Sequence, residues 1–139
     1  MARAKSKGEL VAHLKKRGIE DDVAAATVYR LQEAGLINDE EFARAWTQSR
    51  HRAKKLSKRI IAGELRQKGV SQELIDGALD EIDSEEEFNT ALLLAERKLS
   101  SLARFDQETQ LRRIQSLLGR KGFSFDVISR VARELAIIN

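Results

Sequence analysis

Residues 50–59 hold six Lys/Arg and one histidine in ten positions: Arg50, His51, Arg52, Lys54, Lys55, Lys58 and Arg59. Cations at this density suit contact with phosphates or another anionic surface. Such contact gains affinity by releasing condensed counterions and weakens steeply with salt. Arg44 falls on the same side, roughly opposite the apolar stripe, and extends the set. The plainer reading is a solvated helix end, where cations suit the negative end of the helix dipole. Residue types alone leave these two readings open. Trp46 belongs to the apolar stripe, so base stacking of the single-strand-binder kind is not supported.

The remaining candidates for chemistry are weaker. Residues 76–87 hold seven acids, which read as a solvated face with first-turn acids at a Ser84 cap. The sharper alternative is a contact for a basic partner surface, or mimicry of DNA. Glu85, Glu86 and Glu87 are consecutive, so on a helix they point in different directions. There is no EF-hand spacing. His13 and His51 have no metal or catalytic pattern around them and read as solvated surface. No nucleophile elbow, phosphate loop or zinc signature occurs, and there is no cysteine. We therefore expect no enzyme: no catalytic residue, no cofactor and no metal.

The elements that must position the basic run are helices. The 139 residues contain no proline and only eight glycines, and good helix formers dominate. Charge alternates along the chain. Residues 1–70 carry 16 Lys/Arg against 9 Asp/Glu, a net of +7, while residues 71–139 carry 9 against 13, a net of −4. That pattern favours an anionic polymer or a charge-patterned protein over a membrane or a small substrate. No apolar run approaches membrane-spanning length and the start has no signal-like segment, so we expect a cytoplasmic protein.

Residues 1–5 read as a disordered lead. Ser6-Lys7-Gly8-Glu9 is a capping box. Its helix carries Leu10, Val11 and Leu14 and ends at Gly18, and the next has Ile19, Val23, Val28 and Leu31 as its inner face. Asn38 caps a longer helix with the stripe Phe42, Trp46, Ser49, Ala53 and Leu56. Ser57 caps a helix carrying Ile61 and Leu65. Ser71 caps another with Leu74, Ala78, Leu79 and Ile82 inside. Ser84 then opens a stripe of Phe88, Leu92, Ala95, Leu99 and Leu102, each 46 residues after its counterpart. Ser124 caps the last helix. Phe123 and Phe125 cannot both face inward there, and Phe125 is left for a partner or for a contact between repeats.

These stretches form an internal repeat. Gly18, Gly69 and Gly122 stand 51 and 53 residues apart. Around them recur Leu14/Leu65/Leu118, a basic residue (Arg17/Lys68/Lys121) and an apolar one (Ile19/Val70/Phe123). Helix capping explains the basic residues. The expected architecture is all-α: tandem three-helix repeats forming an elongated curved rod. Residues 1–36 make repeat 1 without its long helix, 37–83 make repeat 2 and 84–139 make repeat 3. Between Leu102 and Gly122 lie seven more residues than between Leu56 and Gly69, lengthening a helix or a loop.

The junction Gly35-Leu36-Ile37-Asn38-Asp39-Glu40-Glu41-Phe42-Ala43, the Ser49-Arg50 that follows, and Glu64-Leu65-Arg66-Gln67-Lys68-Gly69-Val70 with Leu74-Ile75 behind it resemble the RecX family. These are regulatory proteins of the bacterial RecA recombinase. The likeness runs through all 139 residues, the Gly18 and Gly122 echoes included. It implies tandem three-helix repeats that bind the RecA–DNA filament along its groove. It also implies restraint of recombinase, ATPase and coprotease activity in DNA repair and the SOS response. Typical members carry a further helix before the position of Ser6, so this chain reads as a shortened form. The expected partner is the RecA filament, with any direct DNA contact weak and salt-dependent, no membrane contact, and the chain a monomer. Another class stays open: a stand-alone helical DNA-binding module, because short helices joined at Gly69 and Gly122 can look like helix-turn-helix elements.

Overall fold

The computed structural model describes residues 5–137. Of the lead expected over residues 1–5, only Lys5 lies among them. Among the described residues the chain is all-α, with eight helices and no strand: α1 (Lys7–Lys16), α2 (Asp21–Glu33), α3 (Asp39–Lys54), α4 (Lys58–Gln67), α5 (Gln72–Leu79), α6 (Ser84–Ser100), α7 (Gln107–Arg120) and α8 (Phe125–Glu134). None is long and apolar enough to cross a membrane.

Helix ends follow short polar side chains, which satisfy amides the helix itself leaves unpaired. Ser6 makes the full capping box with Glu9. Asn38 accepts the Glu41 N–H at 3.1 Å, Ser71 that of Leu74 and Ser124 that of Val127. One start differs from expectation. The α6 cap is Asp83, whose carboxylate accepts the Glu86 N–H at 2.7 Å, and Ser84 is the first helical residue. A full negative charge at the positive end of the helix dipole outcompetes a hydroxyl.

The chain divides into two compact units, one of Met1–Gln48 and Ala62–Asp80, the other of Ser49–Ile61 and Glu81–Asn139. In the first, α1 packs on α2, and Ala24 and Val28 are fully buried. Ile19 and Val23, expected inside, are 39% and 50% exposed. Small Ala24 holds the inner position that size alone would give to Val23. On α3 the expected stripe also turns. Ser49 and Ala53 are exposed, while Ala43, Thr47 and His51, spaced i, i+4, i+8, are buried.

The second unit is centred on α6, α7 and α8, which pack on one another. Phe88, Ala95, Leu102, Ile114, Leu118, Phe123 and Val131 are buried in one cluster, with Leu92 and Leu99 packed against it. The α6 stripe therefore stands as read. Phe123 is buried and Phe125 is 79% exposed, so only one of the pair faces inward. The extra length is shared: α7 has 14 residues against 10 in α4, and the rest lies in the α6–α7 connection.

Candidate nucleic-acid interface

The basic run sits where α3 stops and α4 starts. Lys55 ends α3 in the left-handed region at φ +55, with its Nζ donating to the Arg52 carbonyl at 2.7 Å. Ser57 then caps α4, its Oγ accepting the Ile60 N–H at 3.3 Å. The turn is fixed from three sides within the second unit. The Ser57 N–H donates to the Lys121 carbonyl at 2.9 Å. A Cβ on Gly122 would overlap Ile60 and the Ser57 hydroxyl, so only glycine lets the end of α7 approach this closely. Finally, His51 Nδ1 lies 3.1 Å from the Leu56 carbonyl, an acceptor, so that nitrogen carries a hydrogen. Its Nε2 lies 3.0 Å from Thr90 Oγ1.

His51 is thus buried, 6% exposed, and corrects the surface reading. Burial is tolerated because both ring nitrogens find partners. Its counterpart Thr90 lies 39 residues away, beyond any local pattern. Spacing with Ala43 and Thr47 was the one usable signal. His13 is exposed, as read.

Within residues 50–59 the cations divide by task. Lys58 is spent on the fold: its N–H donates to Glu87 Oε2 and its Nζ to the Ile82 carbonyl, both at 2.7 Å. Arg59 is exposed, with Nε 3.4 Å from the Gly122 carbonyl. Arg50 is half-buried. Arg52 and Lys54 are exposed, and among the described residues neither pairs with a carboxylate. Lys121, read above as a capping residue, joins them: its Nζ donates to the Lys54 carbonyl at 2.9 Å, with no acid partner among the described residues. Arg44 is exposed on α3, in the stretch that belongs to the first unit. The turn therefore gathers exposed cations that suit contact with an anionic surface.

A counterpart joint lies within the first unit. Ser6, fully buried, donates its hydroxyl to the Lys68 carbonyl. A Cβ on Gly8 would come within 2.6 Å of that carbonyl oxygen and 2.7 Å of the Gly69 Cα, so backbone meets backbone. Lys68 Nζ binds Glu9 at 2.9 Å and lies 4.3 Å from the Trp46 ring centroid. Trp46 is half-buried, stacked on Phe42 and bonded through Nε1 to Glu64.

The acids of residues 76–87 are largely engaged locally. Glu85 takes Arg130 through two bonds of 2.8 and 3.2 Å, and that Arg130 hydrogen bond, then its charge, hold the carboxyl below its ordinary range. Arg130 also covers the Phe88 ring at 3.7 Å. Among the described residues no group of three His, Cys, Asp or Glu side chains is placed to hold a metal.

Residues 38–79 match the family description "RecX, second three-helix domain" and residues 85–132 match "RecX, third three-helix domain". The chain is 42% identical over 130 residues to the regulatory protein RecX of Streptomyces coelicolor, covering 94% of this chain and 69% of that one. Against the regulatory protein RecX of Amycolatopsis mediterranei it is 38% identical over 136 residues, covering 95% and 78%. The crystal structure of RecX from Lactobacillus salivarius superposes with a TM-score of 0.85 at 22% identity, covering 98% of this chain and 88% of that one. A second crystal structure, of a regulatory protein RecX, gives 0.82 at 23% identity, covering 94% and 64%. At such identities the two structures speak to the fold alone.

Proposed function

From the premise that the chain belongs to the RecX family of regulatory proteins, we propose that it binds the RecA–DNA filament in the cytoplasm. There it restrains strand exchange, ATP hydrolysis and coprotease activity during DNA repair and the SOS response. The observation that carries the reading is the rigid basic turn between α3 and α4. Arg52 and Lys54 stand exposed without carboxylate partners among the described residues, on a backbone pinned by His51, Ser57 and Lys121. A preset backbone loses little conformational freedom on binding, so cations held this way contribute more than cations on a loose loop. Lys55 and Arg59 flank them.

Titrating the purified chain into RecA-driven strand exchange and ATP hydrolysis tests this. Both rates should fall as the chain is added, with the effect fading as salt rises. Rates that stay unchanged at every stoichiometry would reject the reading. A parallel pull-down on assembled filaments, free RecA and bare DNA separates it from stand-alone DNA binding. Retention on filaments above bare DNA is expected, whereas tight, sequence-selective capture on bare DNA would favour the other reading.

A further inference from the structure

We propose that the α6–α7 turn is a second phosphate-contacting site, built from Arg104 and Arg113 over the ring of Phe105, and that its ligand is a nucleic-acid backbone. The choice of ligand rests on the function proposed above. The guanidinium carbon of Arg104 lies 4.9 Å from the Phe105 centroid and that of Arg113 lies 4.4 Å from it. Phe105 is half-buried and packs against the core of the second unit, while both arginines are exposed. One anchored ring therefore gathers two like charges from different elements, the connection and α7. Among the described residues neither arginine pairs with a carboxylate.

The nearest acid in sequence is already occupied. Asp106 caps α7, accepting the Thr109 N–H at 2.8 Å. Two exposed guanidiniums held by one ring, with no carboxylate partner among the described residues, offer donors whose planar geometry matches phosphate oxygens. Because the ring holds arginines, it is not a free platform for a base, and contact is to the backbone without sequence preference.

The position in the chain names the ligand class. The α3–α4 and α6–α7 turns hold the same place in the repeat, but at offsets of 46 and 53 residues Arg104 and Arg113 correspond to Lys58 and Ile60, so the two turns share positive charge and not a residue pattern. Both connections, residues 55–57 and 101–106, lie in the second unit, and exposed cations stand in or beside each. A ligand that repeats its charge at short intervals, as a nucleic acid does, can meet both, whereas a single acidic residue on a partner meets one.

The test measures binding of a fluorescein-labelled oligothymidylate to the full chain by anisotropy across a salt series. Wild type is compared with the double variants Arg104→Gln/Arg113→Gln and Arg104→Lys/Arg113→Lys. The Gln pair should make the slope of log K against log salt shallower by about 1.4, at about 0.7 per lost single-strand contact. The Lys pair, which keeps the charges, should restore the slope with its melting temperature unchanged. An unchanged slope for the Gln pair would overturn the site, as would a Lys pair no better than Gln, since that marks a structural effect. Tighter capture of polyglutamate than of oligothymidylate would also overturn it. Wild type that restrains RecA while the Gln pair keeps its slope rejects this site alone. Wild type without effect on RecA rejects the function instead.

Discussion

Two joints of the molecule are built to one pattern and differ in charge. In each, a buried N-cap serine meets a Lys-Gly helix end: Ser6 with Lys68 and Gly69 in the first unit, Ser57 with Lys121 and Gly122 in the second. In the first, Lys68 binds Glu9 and covers Trp46, so its charge is absorbed. In the second, the position 51 residues after Glu9 is Ile60. Among the described residues Lys121 meets a carbonyl and no acid, and Arg52, Lys54 and Arg59 stand exposed near the same turn. One acid-to-isoleucine difference within a shared frame separates a joint whose lysine is neutralised from one whose lysine is not.

The strongest way to break the parallel is at its glycines. Gly122→Ala combines a left-handed backbone at φ +92 with overlap on Ile60 and Ser57, and should cost about 2–4 kcal/mol in urea unfolding. Gly8→Ala collides with backbone that cannot yield, yet gains helix propensity, so a smaller loss of about 1–2 kcal/mol is expected. Equal losses would mean that the Gly8 contact is the tighter of the two, since it carries no left-handed strain. The serines come next. Ser57→Ala removes a cap, costing about 1 kcal/mol, while Ser6→Ala also strips the donor to Lys68 and should cost about 2 kcal/mol. Smallest in stability is Arg52→Glu/Lys54→Glu, within about 0.5 kcal/mol of wild type in unfolding. The same variant should weaken filament retention in low salt. Unaltered retention would remove the basic turn from the interface and leave two merely structural joints.

Much of this frame was legible beforehand. Caps at Ser6, Asn38, Ser57, Ser71 and Ser124, the glycine stops, and the stripe from Phe88 to Leu102 follow from local rules: a polar acceptor before a helix, a left-handed stop, large apolar side chains at helical spacing. What escaped depends on distant partners. His51 is inside because Thr90 waits for it across 39 residues. Lys58 is tied into the fold because Glu87 and the Ile82 carbonyl bond it. Hydropathy cannot register either fact, since both residues are polar wherever they stand. Ala24 and Ala43 were missed for the opposite reason: a methyl group is too small to announce a face. The choice of Asp83 over Ser84 was a contest between adjacent good caps, decided by charge.

The Ser6–Lys68 bond has a consequence in time. It joins residues 62 apart, whereas α6, α7 and α8 follow one another along a continuous stretch. Ends separated by a long loop pay more entropy to meet, and contacts near in sequence are made sooner. The α6–α8 cluster should therefore assemble first and the Ser6 clasp last. Hydrogen exchange in the native protein should show the same order reversed, with the amides of α1 opening well before those of α6. Early in its life the chain would then hold its third-domain turn ready before its opening helix has found a seat.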